Sequence, residues 1–316
     1  MPLLVPRTAY RPFEYDWAYE GYLKQNQAHW LATEVPMSDD VTDYRNKLTE
    51  EERHLITQVL RFFTQGDIEV QNNYQVRLMP MFPVPEVAMM LAAFANTEAI
   101  HVHAYSHLID TLGLPQSEYS SFLNYESMRR KYDYLHGFSN KTPHELAKTL
   151  AVFGAFMEGT ALFASFAILM NFPRQNKMKG LGQIINWSIR DEGLHSEYIC
   201  RLFRQFVAEN TEVNTPELWS ELRTACTQIV EMEDAFIDTC FELGAVRGLR
   251  AEDVKQYVRW TADNRLASIG MEPEYRLTSN PLPWLAALLS AREHTNFFEG
   301  RATDYAKANV DESWPR

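Results

Sequence analysis

The sequence predicts an all-α fold, a bundle of long helices that keeps charged side chains in its interior. Three observations predict it. No stretch of the 316 residues sustains the two-residue alternation of a half-buried strand. Several long segments instead carry helical spacing behind recognisable start signals. Within those segments, single carboxylates and imidazoles interrupt otherwise apolar runs, where an unpaired charge is costly.

The elements follow in order. Residues 14–30 read as a short aromatic-rich helix ending near Trp30. Thr49 and Glu52 make a capping box for a helix to about Arg77. Pro85 opens the central helix and Gly113 closes it. Residues 117–135 form another helix. Thr142-Pro143 starts a long apolar helix to about Met170. Helices over 178–208, from Thr215-Pro216 to Leu243, and over 251–269 complete the set, with Gly270 after the last. No internal repeat or Gly/Ser linker divides the chain, so residues 1–295 are expected to form one helical domain. Residues 296–316 read as a flexible tail.

Composition narrows the function. Hydrophobic residues make up 46% of the chain, which marks it as globular. Net charge is −12 and no basic patch appears, so neither a nucleic acid nor an anionic membrane is an expected partner. Ala151 to Met170 is nearly continuous in apolar residues, but Glu158 lies near its centre; a buried core helix is the expected reading. Three cysteines, Cys200, Cys226 and Cys240, with no Cys-x-x-Cys, suit a reduced thiol state. Arg7, Arg11, Glu14 and Asp16 interrupt any signal-peptide pattern, and a cytoplasmic location is expected.

The chemistry centres on Glu98-Ala-Ile-His101-Val-His-Ala-Tyr105. At roughly 100° per residue, Glu98, His101 and Tyr105 fall within about 60° of arc on one stripe. Glu-x-x-His occurs three times. Glu51/His54 sits in the charged turn Glu-Glu-Arg-His, a solvated face. Glu98/His101 and Glu192/His195 lie inside long, mostly apolar segments. His103 and His107 point roughly 140° and 180° from Glu98 and are excluded as ligands. Asp67 and Glu158 are lone carboxylates on two further apolar helices. Each taken singly fits an ordinary core partner. Together, four helices supply four carboxylates and two imidazoles, the donor set of a dinuclear carboxylate-bridged centre. Spacing i, i+3 lets each Glu bridge two ions while each His binds one. Hard oxygen donors with one imidazole per ion suit iron or manganese better than copper or zinc. Four carboxylates also balance two divalent ions.

With these residues in place, the chain resembles the radical-generating small (beta) subunit of class I ribonucleotide reductase. The pieces, in order, are Trp30 before Glu34-Val-Pro, Asp67, Glu98 to Tyr105, Glu158, Arg190-Asp191-Glu192-Gly-Leu-His195, Asn280-Pro-Leu-Pro-Trp284 and Asn296-Phe-Phe-Glu-Gly-Arg-Ala-Thr-Asp-Tyr305. The resemblance implies a ferritin-like helical bundle, with additional helices around a four-helix dimetal core, that forms homodimers. It implies two metal ions per chain: iron, manganese or a mixed pair. Asp67, Glu98, His101, Glu158, Glu192 and His195 match the metal ligands. Tyr105 matches the radical tyrosine. Trp30, Asp191 and His101 match the relay toward the surface, and Tyr305 the tail tyrosine that hands the oxidant across the interface. Oxygen, superoxide or peroxide would be activated at the centre. The partner would be the catalytic large (alpha) subunit, docked through the tail with Val310 and Trp314 as apolar anchors and reducing ribonucleotides to deoxyribonucleotides. A flavoprotein activase is a second implied partner.

Two positions depart from the family pattern. Leu162 stands where many members have Phe, and Ser188 puts a hydroxyl where an apolar residue is common. Some relatives keep the tyrosine yet store the oxidant on manganese, so Tyr105 alone does not fix where the oxidant resides. The alternative readings are another dimetal oxidase of the same fold (a hydroxylase, desaturase or ligand-binding oxidase) and a ferritin-like storage protein.

Overall fold

Prolines and threonine caps set where the helices begin. The computed structural model describes residues 3–289. It forms helices α1 (Asp16–Gln27), α2 (Ser38–Asn46), α3 (Glu50–Asn72), α4 (Pro85–Leu112), α5 (Glu118–Ser121), α6 (Glu126–His136), α7 (Pro143–Ala151), α8 (Leu162–Arg174), α9 (Lys179–Glu209), α10 (Pro216–Cys240) and α11 (Ala251–Ser268). Among the described residues the only β pairing is an isolated bridge between Val246 and Leu249. The Thr49 hydroxyl accepts from the Glu52 amide, and the Glu52 carboxylate returns the bond at 3.0 Å. Thr142 and Glu145 repeat this box ahead of α7. Pro85, Pro143 and Pro216 each stand at the first helical position, where no N–H is missed. Gly113 ends α4 at φ +76, in the left-handed region that a side chain disfavours.

Four departures from the sequence expectations have physical causes. The first is α2, a helix beyond those the sequence predicts. Its Asp40 caps α9 from outside, accepting from the amides of Gly180 and Leu181 at 2.9 and 2.7 Å, while Asp43 accepts from Met178. The second is the helix expected over 117–135, which breaks into α5 and α6 with Tyr125 extended between them. Arg61 holds both sides of the break, pairing with Glu118 and donating to the Tyr125 hydroxyl at 2.7 Å. The third is the helix from Pro143, which does not run uniformly to Met170. Val152–Ala161, the stretch around Glu158, is π-helical, and there the Thr160 hydroxyl reaches back five residues to the Ala155 carbonyl at 3.0 Å. Gly154 in this stretch lets α9 approach, since a methyl group there would collide with Ile199. The fourth is the end of α3, which passes into a second π-helical turn, Asn73–Leu78.

The chain divides into two compact units, Met1–Leu282 and Pro283–Arg316. In the first, α3 packs on α4, α4 on α1 and α9, and α9 on the 152–161 stretch and α8. In the second, the described residues 283–289 are helical. The tail from Asn296, with Tyr305, Val310 and Trp314, lies outside the described residues. Pro143–Arg174 is apolar enough to cross a membrane by length and composition, but its apolar window is wholly buried inside the protein. All three cysteines are buried and unpaired.

Because Asp40 is 1% exposed and both its oxygens serve α9, Asp40→Ala should destabilise the protein by about 2 kcal/mol. Urea denaturation checks this. A change within about 0.5 kcal/mol, as for an ordinary surface substitution, would remove α2 from the account of how α9 is held.

Candidate metal centre

Helical spacing brings the predicted donors together. Asp67 on α3, Glu98 and His101 on α4, Glu158 in the π-helical stretch, and Glu192 and His195 on α9 are each at most 1% exposed. His195 Nδ1 lies 2.9 Å from Glu98 Oε1, 3.7 Å from Glu192 Oε2 and 3.9 Å from Glu158 Oε2. His101 Nδ1 lies 3.0 Å from Glu192 Oε1 and 3.4 Å from Glu98 Oε2. Asp67, Glu98 and His101 form one group able to hold a cation; Glu98, Glu192 and His195 form another. Glu98 belongs to both groups, as a bridging carboxylate must.

The electrostatics show how strained this arrangement is for protein atoms alone. Burial pushes the Asp67 carboxyl well above the usual carboxylate range, and the Glu98 charge adds to it. Burial does the same to Glu158, with His195 opposing and Glu192 and Glu98 reinforcing. Glu98 moves the other way, because His101 and His195 together outweigh its burial. Burial alone would depress both imidazoles. Asp191, Glu192 and Glu98 overcome this at His101, and Glu192 and Glu98 lift His195 to about 10. Eight donor atoms still lack a hydrogen-bond partner: Asp67 Oδ2, both Glu98 oxygens, His101 Nδ1, Glu158 Oε1, Glu192 Oε2 and both His195 nitrogens. Oxygen-rich, buried, unsatisfied and net negative, the cluster fits two divalent ions of the iron or manganese type.

Trp30 and Asp191, which the resemblance implies as a relay, adjoin this cluster. Trp30 Nε1 donates to Asp191 Oδ2 at 2.7 Å, and the same oxygen lies 3.4 Å from His101 Nε2. Arg190 contacts the other Asp191 oxygen at 3.0 Å. The Asp191 carboxyl is held below its usual value: burial opposes this, but His101, Arg190 and Trp30 prevail. Tyr105 is 2% exposed, one turn beyond His101 with ring centres 6.3 Å apart. Burial, then the Asp67 charge, drives its phenol well above the usual value, while His101 and the nearby Ser188 hydroxyl work against them. Ser188, read as a departure from the family pattern, is thus the polar neighbour of the phenol. Leu162 is buried, as are Phe94, Phe166 and Ile185. His103 and His107 are not buried and lie with tilted rings 6.4 Å apart between centres. His54 pairs with Glu242 instead.

Three residues at the site escaped the sequence reading. Phe63 stacks on Tyr105 with ring centres 4.3 Å apart. Its signal was its place four residues before Asp67. Trp187, half-buried and four residues before Asp191, packs on Trp30 at 5.1 Å. Tyr74, seven residues after Asp67, donates its hydroxyl to Glu158 Oε2 at 2.6 Å.

Comparison with known proteins fits this geometry. Residues 7–281 match the family "Ribonucleotide reductase, small chain". The chain belongs to that family. Over 99% of its length it is 42% identical to a probable ribonucleoside-diphosphate reductase small subunit of Invertebrate iridescent virus 3, covering 88% of that protein. It is 33% identical, over 94% of its length and 89% of the relative's, to the ribonucleoside-diphosphate reductase subunit beta of Chlamydia pneumoniae. The fold resembles the ribonucleotide reductase R2 subunit from Clostridium botulinum with a TM-score of 0.84, covering 90% of this chain and 91% of that one at 22% identity. Family membership sets aside the alternatives of a storage protein and of another dimetal oxidase of the same fold.

Glu98 is the donor common to both groups, so Glu98→Ala should bring divalent-ion uptake below one ion per chain, while Glu158→Ala should lower occupancy less. Elemental analysis after anaerobic loading with Fe(II) or Mn(II) reads both. Two ions retained at unchanged affinity in either variant would refute that residue's place in the donor set.

Proposed function

We propose that the chain is the radical-generating small subunit of a class I ribonucleoside-diphosphate reductase. The observation that carries the reading is a six-donor buried cluster joined through His101 and Asp191 to a buried tryptophan. Asp67, Glu98, His101, Glu158, Glu192 and His195 would hold two ions, iron or manganese. When bound, the dimetal centre supplies a one-electron oxidising equivalent derived from oxygen or a reduced oxygen species.

The chain's own residues do the rest. Phe63 stacked on Tyr105, with Phe166 beyond it at 5.8 Å from Phe63, keeps water from the phenol. Excluding water and reductants is the condition for a long-lived tyrosyl radical at Tyr105. Ser188 offers the phenol oxygen a neutral partner. Asp191 Oδ2 fixes the indole N–H of Trp30 and faces His101 Nε2, so one carboxylate aligns both rings. Tyr305 in the tail is the proposed carrier across the interface. The receiving partner is the large catalytic subunit, where a cysteine begins reduction of the ribonucleotide. The small subunit would act as a homodimer in the cytoplasm, with the tail after Tyr305 as its dock and a flavoprotein as the activase if manganese is the metal.

Two variants test the route. Tyr105→Phe should abolish a tyrosyl-type electron paramagnetic resonance signal in the activated protein; activity surviving that change would put the oxidant on the metals. Tyr305→Phe keeps the ring but has no phenolic proton to lose. It should leave metal loading and the stored oxidant intact, with nucleotide reduction at background. Wild-type turnover in Tyr305→Phe would refute the relay.

A further inference from the structure

Among the described residues, two π-helical segments stand out, Asn73–Leu78 and Val152–Ala161. One hydrogen bond joins them: Tyr74 Oη donates to Glu158 Oε2 at 2.6 Å. Such widened turns are rare and occur frequently at functional sites. Here both partners of the bond lie in widened turns, and both are fully buried. The Tyr74 ring is fixed edge-on against Phe94 and His195, each 5.9 Å away between ring centres. With its ring clamped and its hydroxyl engaged, Tyr74 has one geometry. Glu158 Oε1 has no hydrogen-bond partner, and Oε2 already has one.

We propose that Tyr74 is a positioning residue for the dimetal centre: by occupying Glu158 Oε2 it leaves Oε1 as that carboxylate's single donor oxygen. The inference rests on the metal-centre reading above and assigns Glu158 a one-oxygen binding mode. A carboxylate can offer one oxygen or two to an ion, and the choice changes the coordination number. Glu98 and Glu192 differ: they face the histidines through both oxygens. The phenol suits the task because it donates one hydrogen bond without adding a charge.

The test compares wild type, Tyr74→Phe and a remote packing control, Phe206→Leu, three turns beyond His195 on α9. Each protein is stripped with chelator and titrated anaerobically with Mn(II) alone. Affinity, thermal midpoint and the Mn(II) electron paramagnetic resonance spectrum are read. Tyr74→Phe should still bind two ions but with affinity changed by about tenfold, and with an altered spectrum, because Oε2 is released to bind. Phe206→Leu should lower the thermal midpoint and leave affinity and spectrum as in wild type. The role of Tyr74 is overturned, with the metal-centre reading intact, if wild type loads two ions and Tyr74→Phe matches its affinity and spectrum. It is equally overturned if Phe206→Leu reproduces the changes of Tyr74→Phe, since packing alone would then explain them. If wild type takes up no ions, both the metal-centre reading and the role of Tyr74 fall. Should Tyr74→Phe fail to fold, Tyr74→His keeps a ring donor; a wild-type-like spectrum there against an altered one in Tyr74→Leu supports the assignment, and identical spectra in the two overturn it.

Discussion

Four carboxylates and two imidazoles share one water-free volume, and the rest of the structure answers to that constraint. Asp67, Glu98, Glu158 and Glu192 would each cost several kcal/mol to bury as isolated ions. The cationic partners within 4 Å of Glu98, Glu158 and Glu192 are the two histidines. Two histidines cannot neutralise four carboxylates. Left as protein alone, the cluster compromises: Asp67 and Glu158 are driven toward the neutral acid while His101 and His195 are driven toward the cation. Two divalent ions remove the need for that compromise, so the same residues that weaken an apolar core make a strong binding site.

The scaffold holds these groups by means remote from them. Asp40 and Asp43 on α2 anchor the start of α9, which carries Glu192 and His195 three to five turns downstream. Arg61 on α3 fixes the α5–α6 break from the same helix that presents Asp67. Gly154 brings α9 against the stretch that carries Glu158. A donor set of this kind tolerates errors of only a fraction of an ångström, so its supporting contacts must be rigid. Buried ion pairs and backbone-anchored carboxylates supply that rigidity better than apolar packing, which permits sliding.

Much of this was legible in the sequence because helical chemistry is local. The Thr49 box, the Pro85 and Thr142-Pro143 starts and the Gly113 stop depend on residues within one turn and appeared where expected. The two interior Glu-x-x-His pairs were legible because i, i+3 spacing fixes a shared face whatever the tertiary fold. What escaped depended on partners far away in the chain. The break at Tyr125 is written in Arg61, and the caps of α9 are written in α2, more than a hundred residues earlier. Glu69 is buried beside His136, 67 residues along the chain and 3.4 Å away. The π-helical turns escaped because their extra residue shifts no composition. Tyr74 could have been found by counting two turns on from Asp67, but a phenol on an aromatic-rich stripe resembles plain core until its hydroxyl has a named acceptor.

Two buried phenols therefore flank one cluster, and their surroundings separate their uses. Tyr74 donates to Glu158, beside His195. Tyr105 lies at the other end, near Asp67 and His101, with Ser188 as its polar neighbour and Phe63 across its face. Oxidising a phenol removes its proton as well as an electron. At Tyr74 the nearest acceptor is the carboxylate Glu158, and protonating it would neutralise a member of the donor set. Among the described residues the Tyr105 hydroxyl donates to no carboxylate of the donor set; its polar neighbour is the uncharged Ser188 hydroxyl. The two phenols thus differ in what their hydroxyls meet: Tyr74 is tied to a carboxylate of the donor set, and Tyr105 is not.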